Sequence, residues 1–212
     1  MAKKEAKTPA VVADARTGLQ PTVDVQHAWY EIRRGPAWKS MALVAVDDGP
    51  PPAVLAQSFG YLATEEKTRR ILVVNASTQQ SFSDAAKAPE IETYRRDLAP
   101  GDRSAVTALD DHVDYMQLSR FDRVSAARFL VSPPHTFEAL TSGSPGYDGV
   151  IFAIDSPIVY PQATQLARAV DIVVLCIRLG ATSLDAARRV TEIIGAEKIV
   201  GSIAFRPGGK SA

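Results

Sequence analysis

Acidic and amide side chains stand where short apolar runs stop. Asp47 and Asp48 follow Met41-Ala-Leu-Val-Ala-Val46, Asn75 follows Ile71-Leu-Val-Val74, and Asp155 follows Val150-Ile-Phe-Ala-Ile154. Apolar runs of this length, rich in β-branched residues, suit strands buried on both faces of a parallel sheet. In such sheets ligands gather at the carboxyl ends of the strands. Those ends here carry Asp47, Asn75 and Asp155. Carboxylates at such a place work with phosphate or metal when backbone N–H groups and a lysine cradle the ligand. The loop here reads Asp47-Asp-Gly-Pro-Pro-Pro52. Prolines have no N–H to give and push the residue before them toward extended geometry. The loop lacks both donors and curvature, and Asp47 and Asp48 would repel a phosphate. Charge-assisted hydrogen bonds contribute about 1.5–3 kcal/mol each, so a loop that cannot make several of them binds phosphate on the order of thousands-fold more weakly than one that can. Pro50, Pro51 and Pro52 have a structural reading too, as a stiff connector leading into a helix. Both readings agree that the loop does not hold phosphate. Asp155 has two readings: a metal-ligand remnant, or a cap for the turn before Pro157.

Other reactive residue types are sparse. Cys176 sits in the apolar run Ile172–Ile177, as a small buried hydrophobe would. His27, His112 and His135 show no metal-ligand spacing to one another or to Cys176. No metal or cofactor is expected. Asp110-Asp111-His112 lies in an irregular stretch and reads as a solvated turn. Both tryptophans fall in one short segment, Trp29-Tyr30-Glu31 with Arg33, Arg34 and Trp38. Trp, Tyr and Arg often anchor interfaces, so this segment is either a docking surface or a tucked-down N-terminal helix.

The elements that must position these residues alternate. A helix is predicted over Val25–Arg34, a strand over Met41–Val46, a helix over Ala53–Thr64 and a strand over Ile71–Val74. Val150–Ile154 is a strand, Pro161–Val170 a helix, Ile172–Ile177 a strand, Ser183–Ile194 a helix and Ile199–Phe205 a strand. Between Ser77 and Tyr147 only short amphipathic pieces stand out, Arg123–Val131 and Thr136–Leu140. Alternating strands and helices imply a mainly parallel sheet covered on both faces, an α/β fold. Residues 1–24 read as a mobile leader, 25–206 as one domain and 207–212 as a flexible tail.

Lys+Arg and Asp+Glu both number 24, which argues against a nucleic-acid partner. The first residues lack the apolar core of a signal peptide, and no apolar stretch approaches a membrane span. The expected place is the cytoplasm, with any inner-membrane contact made through a partner.

The segment Tyr147-Asp-Gly-Val-Ile-Phe-Ala-Ile-Asp155-Ser-Pro157, with the later Ala169-Val-Asp-Ile-Val-Val-Leu-Cys-Ile-Arg178-Leu-Gly-Ala-Thr-Ser183, resembles the second half of bacterial tyrosine kinases. These are the cytoplasmic ATPase modules of exopolysaccharide chain-length machinery, relatives of the MinD/ParA P-loop ATPases. The resemblance implies a P-loop NTPase-like fold and can be followed position by position. Pro50 stands at the family's P-loop glycine, Pro51 at its lysine, and Pro52 and Ala53 at its hydroxyl residues. Asn75-Ala-Ser77 replaces Asp-x-Asp at the end of the second strand. Asp155 keeps the third strand's aspartate. Phe205 replaces the asparagine that holds adenine, and the tail has no tyrosine cluster. Of the self-association motif Glu-x-x-Arg-x-x-Arg, Glu31 and Arg34 match and Ala37 does not. The resemblance thus implies a catalytically inactive, pseudokinase-like scaffold for exopolysaccharide synthesis. It would bind a membrane chain-length protein, an active paralogue or itself as a homo-oligomer. The alternative is an ATPase or kinase with a non-standard site around Asp47, Asp48, Asn75 and Asp155.

Overall fold

A computed structural model describes residues 23–49, 52–64, 69–77, 106–120, 126, 129–130 and 146–205. The elements run α1 (Val23–Arg33), β1 (Ser40–Ala45), α2 (Ala53–Ala63), β2 (Ile71–Asn75), β3 (Val106–Ala108), β4 (Val113–Gln117), β5 (Gly149–Ile154), α3 (Gln162–Ala169), β6 (Ile172–Arg178), α4 (Leu184–Ile194) and β7 (Ile199–Phe205). One sheet takes all seven strands in the order β3-β4-β2-β5-β1-β6-β7. Every neighbouring pair is parallel except β3 with β4.

The apolar runs become the middle of this sheet because both their faces are covered. β1, β2 and β5 are buried along their whole length. Alternate side chains go to opposite faces. Met41, Leu43, Ile71, Val73, Ile151 and Ala153 meet Trp29, Ile32, Ala56, Phe59 and Leu62 of α1 and α2. Ala42, Val44, Leu72, Val74, Phe152 and Ile154 meet Leu166 of α3 and Val190 and Ile194 of α4. The result is a helix–sheet–helix sandwich, the α/β architecture expected from the alternating pattern.

Boundaries moved by a residue or two. The first helix starts at Val23, the first strand at Ser40, and Ser183 is a cap whose hydroxyl accepts the Ala186 N–H at 3.1 Å. The larger difference lies between Ser77 and Tyr147. Val113–Gln117 is a strand, although Asp114 and Gln117 interrupt its apolar run. The parallel pairing of Asp114 with Leu72 puts its carboxylate in the interior, only 5% exposed. Arg70 reaches it at 3.1 Å and the Tyr147 hydroxyl donates to it at 2.8 Å, which offsets the cost of burying charge. Asp110 and Asp111 make the tight turn between β3 and β4, and both are exposed. Of Arg123–Val131 only Ala126, Phe129 and Leu130 are described, all helical and buried. Thr136–Leu140, most of the leader and the tail lie outside the described residues.

Asp171 ties the amino ends of β1 and β6 together. Its carboxylate accepts the Lys39 and Ser40 N–H groups at 2.8 Å and the Ser40 hydroxyl at 3.0 Å. Partial burial would raise its pKa, but these hydrogen bonds and the nearby Lys198 ammonium outweigh that and hold it below the ordinary carboxylate value. A lowered folded pKa stabilises the protein above the unfolded value, and that contribution is lost as pH falls through the folded one. Asp171 is largely open to solvent, which screens its interactions, so Asp171→Ala should cost about 1 kcal/mol at neutral pH. The gap to wild type should narrow below about pH 4. Urea unfolding of both proteins from pH 7 to pH 3 reads this directly.

Candidate functional site at the carboxyl ends of the strands

Because β2, β5, β1, β6 and β7 are parallel, the residues that follow them emerge on one side of the sheet. Asp47, Asp48, Gly49, Asn75, Ser77 and Asp155 all lie at that end.

Asn75, Ser77 and Asp155 form a closed polar knot. The Ser77 hydroxyl donates to Asp155 Oδ1 at 3.1 Å, and the Ser77 N–H donates to Asn75 Oδ1 at 3.2 Å. Ser77 and Asp155 are 1% exposed and Asn75 is 4% exposed. Next to them the buried Ser156 hydroxyl donates to the Val46 carbonyl at 2.9 Å, joining the ends of β5 and β1. Asp155 thus bonds across to the end of β2, and Ser156 holds the turn that runs to Tyr160. The Tyr160 N–H returns to the Ser156 carbonyl at 2.8 Å.

Asp47 is not an open carboxylate. Arg178, at the end of β6, donates Nε–H to Asp47 Oδ1 at 2.7 Å and places a second guanidinium nitrogen 2.6 Å from the same oxygen. The Thr182 hydroxyl donates to Asp47 Oδ2, and the Thr182 Oγ1 itself accepts the Arg178 backbone N–H at 2.9 Å. Side-chain exposure is 15% for Asp47 and 23% for Arg178. The expected repulsion by Asp47 is therefore corrected: its charge is matched by Arg178, and the carboxylate is spent on that contact. Gly49 makes room for it. A Cβ on Gly49 would fall 2.4–2.8 Å from the guanidinium atoms of Arg178. The cation lies against the backbone of Gly49, just before the three prolines.

Asp48 is exposed. The half-buried Tyr160 faces this region. Desolvation, then the charges of Asp48 and Asp155, raise its phenol above the usual tyrosine value, so it remains a neutral hydroxyl. Pro52 ends the loop as the residue before α2, with its carbonyl taking the Ala56 N–H at 2.9 Å and no side-chain cap. Pro50 and Pro51 lie outside the described residues. The groups present do not fit a nucleotide phosphate with its metal. The loop sequence has no lysine, its glycine is covered by Arg178, and Asp47 and Asp155 are already bonded to protein groups. Among the described residues no three His, Cys, Asp or Glu side chains come together to hold a metal. Cys176 is buried, and burial pushes its thiol far up, so it is no nucleophile.

The aromatic and arginine segment sits on α1 and just after it. Trp29 is 3% exposed and packs 5.5 Å from Phe59 and edge-on, 6.1 Å, from Trp38. It is core, which removes it from the docking surface. Trp38 is half-buried beneath the Arg69 guanidinium, 5.2 Å above its ring. Tyr30, Glu31, Arg33 and Arg34 remain exposed, with Glu31 and Arg34 paired at 3.0 Å.

Sequence reasoning missed Arg178, Thr182 and Tyr160 as parts of this end. Arg178 and Thr182 stood in the resembling segment, but their partner is 131 and 135 residues away.

No family model and no curated protein matches the chain. Solved structures do match. The kinase domain of the Escherichia coli tyrosine kinase ETK aligns with a TM-score of 0.65 at 12% identity, over 100% of this chain and 85% of that one. The kinase domain of VpsO aligns with a TM-score of 0.64 at 14% identity, over 93% and 97%. The cell-division protein MinD of Aquifex aeolicus aligns with a TM-score of 0.51 at 12% identity, over 79% and 68%. The fold is thus that of the bacterial tyrosine-kinase domains and MinD/ParA ATPases, a P-loop NTPase-like fold. At such identities the likeness establishes the fold alone.

Proposed function

We propose that this chain is a catalytically inactive, pseudokinase-like scaffold built on the tyrosine-kinase fold and acting in exopolysaccharide synthesis or export. The observation that carries the reading is the Arg178–Asp47–Thr182 contact over Gly49. Phosphoryl transfer depends on positioned donors and charge around the phosphates. At this end of the sheet the charges are satisfied by one another, and three consecutive prolines occupy the loop. A fold whose strands and helices persist around such a site is useful for its surface. Its partners would be a membrane chain-length protein or an active paralogue of the same fold. No described helix is long and apolar enough to cross a membrane, so attachment there would run through the partner.

Calorimetry with Mg-ATP should give no binding heat at millimolar nucleotide, and the melting temperature should not move. A site with a 10 µM Kd, held at 1 mM ligand, would add about 2.7 kcal/mol of stability, which a melting curve resolves easily. A shift of that size would end the pseudokinase reading and favour a non-standard nucleotide site. Copurification with a chain-length protein or an intact P-loop ATPase tests the scaffold half separately.

A further inference from the structure

The two edges of the sheet differ. β3 closes one edge with three residues, antiparallel to its neighbour, beside the exposed pair Asp110-Asp111. Short, charged edges resist pairing with another chain. β7 forms the other edge with seven residues, Ile199-Val-Gly-Ser-Ile-Ala-Phe205, and has neither charge nor proline. No described strand lies beyond it.

The direction of its backbone groups follows from one bond. The Phe205 carbonyl accepts the Leu179 N–H on the β6 side at 2.8 Å. Groups on alternate residues face opposite ways, so the N–H and C=O of Ser202 and Ala204 point away from β6, outward from the sheet. Val200, Gly201, Ser202 and Ala204 are exposed, and a Cβ on Gly201 would meet nothing within 4 Å. The register with β6 shifts between Val173 and Val174, so Val200 is an extra residue at the start of the strand and the regular span is Gly201–Phe205. Paired with itself in antiparallel fashion about Ser202, that span sets Gly201 opposite Ile203, small against large. No like charges meet, and the outward groups of Ser202 face those of its copy. Self-complementarity of one patch is what a twofold interface needs.

We propose that β7 is a homodimer edge, pairing antiparallel with β7 of a second copy about a twofold axis at Ser202, so that two sheets become one. This edge lies apart from the Asp47–Arg178 contact, and the proposal does not depend on the state of the nucleotide end.

Light scattering on size-exclusion fractions of the full chain tests it, with samples at about 100 µM, where micromolar affinity saturates. Wild type should run at twice the 22.8 kDa chain mass. Ser202→Lys places like charges opposite each other across the axis and should weaken dimerisation at least tenfold. Ser202→Pro removes an outward N–H without breaking a bond to β6 and should do the same. Circular dichroism identifies any variant that fails to fold, in which case the lysine variant alone carries the test. Hydrogen exchange at Ser202 and Ala204 should slow as concentration rises. A monomeric wild type overturns the proposal. So does a dimer that survives both substitutions. Protection independent of concentration, as if the chain's own residues 1–22 or 206–212 covered the edge, overturns it too.

Discussion

Trp29→Ala is expected to destabilise the protein by about 3–5 kcal/mol, the cost of emptying a large aromatic site in a packed core. Trp29 is 3% exposed and lies between Phe59 and Trp38, with Met41 and Leu43 in the same cluster. Its removal unseats α1 from α2 and leaves Trp38 without its edge-on neighbour. Tyr30, one position along the same helix, is 49% exposed, so Tyr30→Ala should fall within about 0.5 kcal/mol of wild type. Urea unfolding of the pair separates two roles for one short segment. If Trp29→Ala left stability unchanged, Trp29 would belong to a surface and the packing of α1 described above would be wrong. Any partner that docks on α1 should respond to Tyr30, Arg33 or Arg34, and should respond to Trp29 only as far as the fold does.

The fold was legible because its central strands are continuous apolar runs. Met41–Val46, Ile71–Val74, Val150–Ile154 and Ile172–Ile177 can be buried on both faces and nowhere else. β4 was not legible, because Asp114 reads as a surface residue until Arg70 and Tyr147 are seen to meet it. Those partners are distant in the chain, and a period-based reading sees only neighbours. The same limit applied at the site. The prolines, Asn75, Ser77 and Asp155 could be placed at the ligand end from strand order alone. That Asp155 bonds to Ser77, or that Asp47 is occupied by Arg178, depends on which strands are neighbours in space, β2 beside β5 and β1 beside β6. Trp29 was ambiguous for a related reason. An aromatic next to arginines on a short helix reads alike as anchor or as core until the face of the helix is known.

Arg178→Ala should cost about 2–3 kcal/mol. Breaking a buried ion pair from one side typically costs 3–5 kcal/mol because the remaining charge is stranded. Here the pair is partly solvated, with side chains 15% and 23% exposed, and Thr182 still donates to Asp47, so the lower figure applies. Asp47→Ala should cost less, about 1 kcal/mol, since the long Arg178 side chain can turn its guanidinium toward water. The double variant should be less destabilised than the two single effects added together, with a coupling of about 1 kcal/mol or more. Additive effects would mean that the contact contributes nothing of its own. Asp47→Ala also releases a cation beside Gly49, at the place where an NTPase of this fold would meet phosphate. Three prolines still deny that place its backbone donors, so Mg-ATP should leave the melting temperature of Asp47→Ala where it was. A clear upward shift in this variant, absent in wild type, would recast Asp47 as a gate held by Arg178. The chain would then be an NTPase kept closed by an internal carboxylate, and its fold would have been retained for more than its surface.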